Sequence, residues 1–288
     1  MGAWKTRAAR HLLTLLLTVA LGGFLGAGLV RSAPGFGVDE RELDTRWSGA
    51  SLQSIRGARV DEGDLLTSYA RHMGRMLRGD FGFSQSLGYP VRQLFAQRLP
   101  VTLRSVALGL LAGWMLALGL ALPGALSRGW AYDLFSAAFS GVFLCLPSAL
   151  LGLLFFLVGG TAPLAIGLVV FPKVFRYTRN VLQDAYAQPH ILTAHSRGLS
   201  RVHILLRHVL PVAAPQLLAL LGVSVTMALG AAIPIEVICD SPGIGQLTWL
   251  AALGRDLPLL VNLTILVTVV TTASNLSSDL AIAAVRRA

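Results

Sequence analysis

The sequence predicts an all-α, polytopic membrane protein with six transmembrane helices, and three observations carry that expectation. Mean hydropathy is +0.66 and 54% of the 288 residues are hydrophobic, too apolar for an ordinary soluble domain. Charged residues make up 13%, roughly half the usual share. Several runs approach or exceed twenty predominantly apolar residues, the length at which a helix crosses a ~30 Å hydrocarbon core.

Taken in order, the elements are these. Lys5, Arg7 and Arg10 precede an apolar run over residues 11–30. The run is longer than the core of a usual secretion signal and no convincing small-residue cleavage site follows. Residues 1–30 are therefore expected to form a cytoplasmic amino terminus and a retained first span. Residues 31–100 form one extracytoplasmic segment. Its stretch Ala33–Gly63, rich in Gly, Ser and charge, reads as a surface loop. Leu65, Leu66, Tyr69, Met73, Met76 and Leu77 then recur at helical spacing up to Gly79. A second pattern, Val91, Leu94, Phe95 and Leu99, starts after Pro90 and stops at Pro100. Both predict amphipathic interfacial helices, with packing against neighbouring spans and contact with a partner equally open. Residues 101–288 then supply a five-helix core. Its spans are expected over 101–122, 134–158, 161–182, 212–235 and 258–284. The run 161–182 is the weakest, because its apolar part ends near Phe171 and Lys173, Arg176 and Arg179 follow.

Charge sidedness decides that run. If 161–182 crosses, both termini and all the short basic loops share one compartment. Twelve basic residues then face three acids, Asp133, Asp184 and Asp279, and the other side is nearly balanced. Nine of the ten net positive charges lie inside, as the positive-inside rule requires. The basic balance is thus a topology signal, and nucleic-acid binding is not expected. Lys173 falls well inside this span, where it either snorkels to the inner interface or lines a watery route.

Catalytic chemistry is hard to assemble from these residues. The two lysines, Lys5 and Lys173, do not follow a glycine, so no phosphate-cradling P-loop exists. His190, His195, His203 and His208 lack a neighbouring carboxylate and sit among arginines, so neither a metal nor another cofactor is expected. Cys145 and Cys239 are distant in sequence and read as buried small hydrophobes. Acids at membrane depth are scarce: Glu236, Asp240 and Asp279 fall at span ends. A proton-coupled carrier usually needs such an acid. A self-contained secondary transporter or channel is the alternative, disfavoured also by the lack of an inverted repeat. An intramembrane enzyme lacks a convergent nucleophile or acid/base pair.

The segment from Asp184 to Pro215 is different in kind. It is basic and helix-prone, lies between two apolar runs, and carries Thr193-Ala194, Arg197-Gly198-Leu199-Ser200, Arg207-His208 and Pro211. It reads as a structured cytoplasmic element made to touch another protein. Four blocks then appear in order. They are Gly79-Asp80-Phe81-Gly82 with Ser84, Pro90-Val91, Arg98-Leu99-Pro100 and Thr102-Leu103; Leu146-Pro147-Ser148; Ile191, Thr193-Ala194, Gly198-Leu199-Ser200, Arg207-His208, Leu210 and Pro215; and Glu236, Ser241-Pro242-Gly243-Ile244-Gly245, Arg255-Asp256 and Pro258. With these blocks the chain resembles, over nearly its whole length, the inner-membrane permease subunit of the dipeptide/oligopeptide/nickel class of ABC importers, the B-type member of a permease pair.

The resemblance implies a type I importer permease fold in a bacterial inner membrane. It also implies four kinds of partner: a second, C-type permease, ABC ATPase subunits, an extracytoplasmic substrate-binding protein and membrane lipid. The solute expected by default is a peptide. Within the loop 184–210, a short helix lying along the membrane would dock on the ATPase, with Ile191, Thr193, Ala194, Arg197, Gly198, Leu199 and Ser200 as coupling residues. Ile191, Ala194 and Leu199 would give apolar contact, Gly198 the helix-ending turn, and Arg197 and Arg201 rim charge. Asp240, Ser241, Pro242, Gly243 and Gly245 would lie near an external gate or the docked binding protein, although simple turn geometry explains them equally well. The chain departs from the family in three places. Leu192 stands where the general permease loop signature begins with an acid, which the peptide-permease branch often lacks too. Pro189-His190 stand where Asp-Tyr is usual, which sets the helix start near Pro189. The link Gly159–Thr161 is unusually short.

Overall fold

A computed structural model of the chain describes residues 73–76, 78–127 and 129–285, with scattered helical positions between 13 and 28. The expected first span lies mostly outside the described residues, the loop Ala33–Gly63 entirely so; of the expected helix ending at Leu77, residues 73–76 are described and helical. Among the described residues the chain is all-α, apart from an isolated antiparallel bridge between Phe83 and Pro90.

Nine α-helices follow Pro90: α1 Val91–Ser127, α2 Trp130–Cys145, α3 Ser148–Leu157, α4 Ala162–Tyr186, α5 Pro189–Ser196, α6 Arg201–Ile204, α7 Leu210–Ile238, α8 Ile244–Leu253 and α9 Leu257–Val285. A π-helical turn, Leu205–Val209, joins α6 to α7. Among the described residues three helical stretches are long and apolar enough to cross a membrane, Val91–Leu126, Arg201–Ile238 and Leu257–Val285, and the bent pair α2 and α3 makes a fourth if it is one span.

Three boundaries differ from the expected ones, each for a reason involving proline. Pro100 does not stop its helix: α1 runs through both Pro100 and Pro123 for 37 residues. A proline forfeits one amide bond, and in α1 the long apolar run beyond it outweighs that loss. The expected single span 134–158 is instead two helices, α2 and α3, bent by 95°. Pro147 occupies the N-cap of α3, and Leu146 before it is extended at φ −83°, ψ 126°, as a residue preceding proline prefers. The fifth span begins earlier than 212, because helix runs on from Arg201. Pro211 has no amide to offer the Arg207 carbonyl, and the widened π turn lies directly before it.

The chain divides into two compact units, Met1–Gln97 with Thr248–Val269, and Arg98–Leu247 with Val270–Ala288. In the first, Met73, Met76 and Leu257 pack on Val261 and Ile265. Asp256 is buried there and accepts hydrogen bonds from Ser84 Oγ at 2.5 Å, from Ser86 through both N and Oγ at 3.0 Å, and from Leu259 N at 3.0 Å. It thereby caps α9.

The second unit is built on α4, which packs against α2, α3 and α7. Ile166, Val170, Phe171, Val174, Phe175 and Leu182 are its buried face, and the rings of Phe139 and Phe143 sit 5.8 and 6.1 Å from that of Phe171. Where α1 meets α4 the backbones touch. A Cβ at Gly109 would stand 2.7 Å from the Pro163 carbonyl oxygen, and one at Gly113 would stand 2.8 Å from that of Gly167. Leu111, Met115, Leu134, Phe135, Leu153, Phe156, Leu221, Val223 and Val269 are exposed on the outer faces of α1, α2, α3, α7 and α9. So much unpartnered apolar surface suits lipid. Cys145 is likewise exposed, against the expectation of burial, since an apolar run does not reveal which of its residues face the core.

Candidate functional site

Two helix ends carry the residues singled out by the sequence. The first is the bend after α5. Pro189 stands at the first helical position of α5, where its missing amide costs nothing. The helix closes at Gly198, whose φ is +75°, a left-handed conformation that glycine adopts without steric cost. Gly198 N donates to His195 O at 3.0 Å and Leu199 N to Ala194 O at 3.4 Å. This pairing satisfies the last carbonyls of the helix. Ser200 then caps α6, accepting from His203 N.

This geometry corrects the expected contact face. Ile191 and Ala194 are buried at 1% and 5% exposure within the chain's own core, and Leu199 packs partly against it. Three residues apart on one helix, Ile191 and Ala194 share a face, and that face anchors α5. The outward apolar residue is Leu192, 75% exposed. Thr193, His195, Ser196, Arg197, Gly198 and Ser200 are exposed around it. Arg201 is tied down: its guanidinium donates to the Leu126 carbonyl, near the C-terminal end of α1, at 3.1 Å, where a cation complements the helix dipole.

The second helix end is the turn after α7. Asp240 has φ 48°, its amide donates to Val237 O at 3.3 Å, and Ser241 N donates to Glu236 O at 2.8 Å. Beneath the turn lies Glu236, with 0% exposure. Its Oε1 accepts from Thr102 Oγ1 at 2.7 Å and its Oε2 accepts from Gly245 N at 2.7 Å. Thr102 Oγ1 also accepts from Ile244 N at 2.7 Å. A buried carboxylate is tolerable only with such partners. Together they clamp α1, the end of α7 and the start of α8.

The clamp explains the glycines of the Ser-Pro-Gly-Ile-Gly block. A Cβ on Gly243 would collide with the Glu236 carboxylate and with Thr102 Oγ1, and one on Gly245 would stand 2.7 Å from Ile233 Cα. Gly243 and Gly245 are buried. They make room for the acid beneath the turn. Asp240 and Pro242 are exposed and Ser241 is half-buried. Asp240 Oδ1 accepts from Gln246 Nε2 at 2.8 Å, and Gln246 Oε1 accepts from Arg98 at 2.7 Å. Sequence reasoning placed Glu236 at a span end without a role. The signal available was an acid on an apolar run followed within ten residues by two close glycines.

Comparison with known proteins agrees with this architecture. Residues 109–288 match the family described as binding-protein-dependent transport system inner membrane component. The chain is 26% identical to the oligopeptide transport system permease protein AppB of Bacillus subtilis (strain 168), over 97% of this chain and 96% of that one. It is 25% identical to a probable peptide ABC transporter permease of Sinorhizobium fredii, covering 94% and 95%. It is 29% identical to the oligopeptide permease OppB of Escherichia coli K12, covering 70% and 73%. The apolar spans, the α5 bend and the match over well more than half its length together make this chain a member of the binding-protein-dependent transport system inner membrane components, the multi-pass permease subunits of ABC importers.

Proposed function

We propose that this permease carries peptides inward as the B-type half of a heteromeric pathway. In this reading a C-type permease completes the channel, an extracytoplasmic binding protein delivers the solute and two ATPase subunits drive the cycle. The peptide assignment is supported by the relatives, named as oligopeptide and peptide permeases. Six spans with both termini in the cytoplasm accord best with the charge distribution.

The observation that carries the reading is α5. Its inner face is anchored by Ile191 and Ala194 while Leu192, Thr193 and Arg197 stand outward. A helix so mounted transmits displacement to α4 and α6 when a partner grips its outer face. ATP-driven closure of the ATPases would rock the attached spans between inward-open and outward-open states. The exposed residues Asp240 and Pro242 belong, on this reading, to the external gate or the binding-protein contact.

The test is to make Arg197→Glu, which reverses charge on the exposed face, and Gly198→Pro, which forbids φ +75° and removes an amide donor. Both should insert normally while uptake falls at least about tenfold, the loss expected when about 1.4 kcal/mol of coupling is removed. Normal uptake by both variants would remove α5 from the coupling role. In intact cells, a cysteine introduced at Ser196 should resist a membrane-impermeant thiol reagent; modification from outside would overturn the topology.

A further inference from the structure

The outer face of α4 is unlike that of the other long helices. Between Leu164 and Leu192, Tyr177 is the single large apolar side chain exposed. Lys173, Arg176, Asn180, Gln183 and Asp184 share that exposed surface, while the opposite side of the helix is buried. On the six-span topology proposed above, Lys173 lies eleven positions after Ala162, ~16 Å along the helix axis, which is about half of a ~30 Å hydrocarbon core. Side chains on a helix lean toward its N-terminus. If α4 enters from the external side, Lys173 leans away from the cytoplasmic interface, and snorkelling inward works against its own geometry.

The same helix also shows what a structurally satisfied cation looks like. Arg179 is paired with Asp133 at 3.1 Å. Lys173 and Arg176 have no such partner among the described residues. They lie three apart on one face, an arrangement of like charges that is unfavourable even in water and more so at membrane depth. The helical neighbours at which a compensating acid could stand are Val169, Val170, Pro172, Tyr177, Arg179 and Asn180, and none is acidic. The nearest acid on the helix, Asp184, is eight positions beyond Arg176, ~12 Å away. Among the described residues no acid is paired with Lys173 or Arg176, which leaves both cations open to a counter-ion brought by a solute.

We infer that the Lys173–Arg176–Asn180 stripe of α4 faces a water-filled route, and that Lys173 and Arg176 together receive the carboxylate of an anionic solute in transit. On the functional reading above, on which the solute's identity rests, that carboxylate is the free C-terminus of a peptide. A guanidinium and an ammonium side by side accept a carboxylate through charge-assisted bonds. In water such bonds are weak enough to release it, as passage requires. Asn180, one turn further along the axis, presents both donor and acceptor to the peptide backbone.

The experiment uses the complete importer in proteoliposomes, with Cys145→Ser and Cys239→Ser in this chain and Lys173→Cys added. Two water-soluble methanethiosulfonates of similar size are compared, one carrying a sulfonate and one a trimethylammonium group. With Arg176 in place the anionic reagent should react about tenfold faster, and adding Arg176→Gln should abolish that preference. A transported peptide with a free carboxylate should slow the reaction, and its C-terminal amide should not. Access limited to a bilayer-permeant maleimide would place the face against lipid and overturn the inference. So would resistance to every reagent, which would mean burial against the second permease, or equal protection by acid and amide. Reagent access and charge preference need no substrate, and peptide-stimulated ATP hydrolysis is read separately in the unmodified importer. Failure of the stripe is thereby distinguished from failure of the peptide assignment.

Discussion

The bend after α5 and the turn after α7 close their helices with the same pair of amide-to-carbonyl bonds around a left-handed residue, but different things lie beneath them. Under the α5 bend Ile191 and Ala194 pack into the apolar core, and the left-handed position is Gly198. Under the α7 turn is a fully buried carboxylate, and the left-handed position is Asp240. A non-glycine residue in that conformation costs about 1–2 kcal/mol, offset here by the Asp240–Gln246 bond and the Glu236 clamp. One turn is thus fixed by polar groups that cannot be separated cheaply. The other is fixed by two apolar side chains and keeps its polar face free. A lock and a handle can be made from one hydrogen-bond pattern.

Substitutions can break or sharpen that contrast. Glu236→Ala should be the most damaging, at about 4 kcal/mol, because it leaves the Thr102 hydroxyl and the Gly245 amide buried without an acceptor. The midpoint of thermal unfolding of the detergent-solubilised subunit measures it, and a shift no larger than that of exposed Thr193→Ala would show there is no lock. Gly245→Ala should follow at roughly 2–3 kcal/mol, since its methyl group must displace α7 backbone at Ile233. Thr102→Val keeps the shape and loses the relay, for about 1 kcal/mol, whereas Thr102→Ser should restore it. Arg197→Glu should change stability by less than about 0.5 kcal/mol, although uptake is expected to fall at least about tenfold in it. Equal destabilisation by Glu236→Ala and Arg197→Glu would erase the distinction between the two turns.

Much of this could be read from residue order. The long apolar runs fixed the class, Pro189 marked the start of α5, and Gly198 marked its end. Two limits were physical. Periodicity shows that Ile191 and Ala194 share a face but not whether that face meets the chain's own core or a neighbour. Proline gave opposite outcomes at Pro100 and Pro147: one sits inside a helix and the other divides two. The difference depends on the packing around each, which no local pattern contains. The buried acids Glu236 and Asp256 were also concealed, because their partners are remote. Thr102 lies 134 positions from Glu236, and Ser84 lies 172 from Asp256.

The glycine contact between α1 and α4 has a mechanical consequence. At Gly109, Gly113 and Gly167 the glycines let the two backbones approach directly, with little side-chain layer between them to compress or reorient. α4 leads into α5 across only Ala187 and Gln188. If the short helix is the coupling element, a push on it would pass through α4 to α1 as through two rods brazed at one point, and one bulky residue at the joint would force them apart.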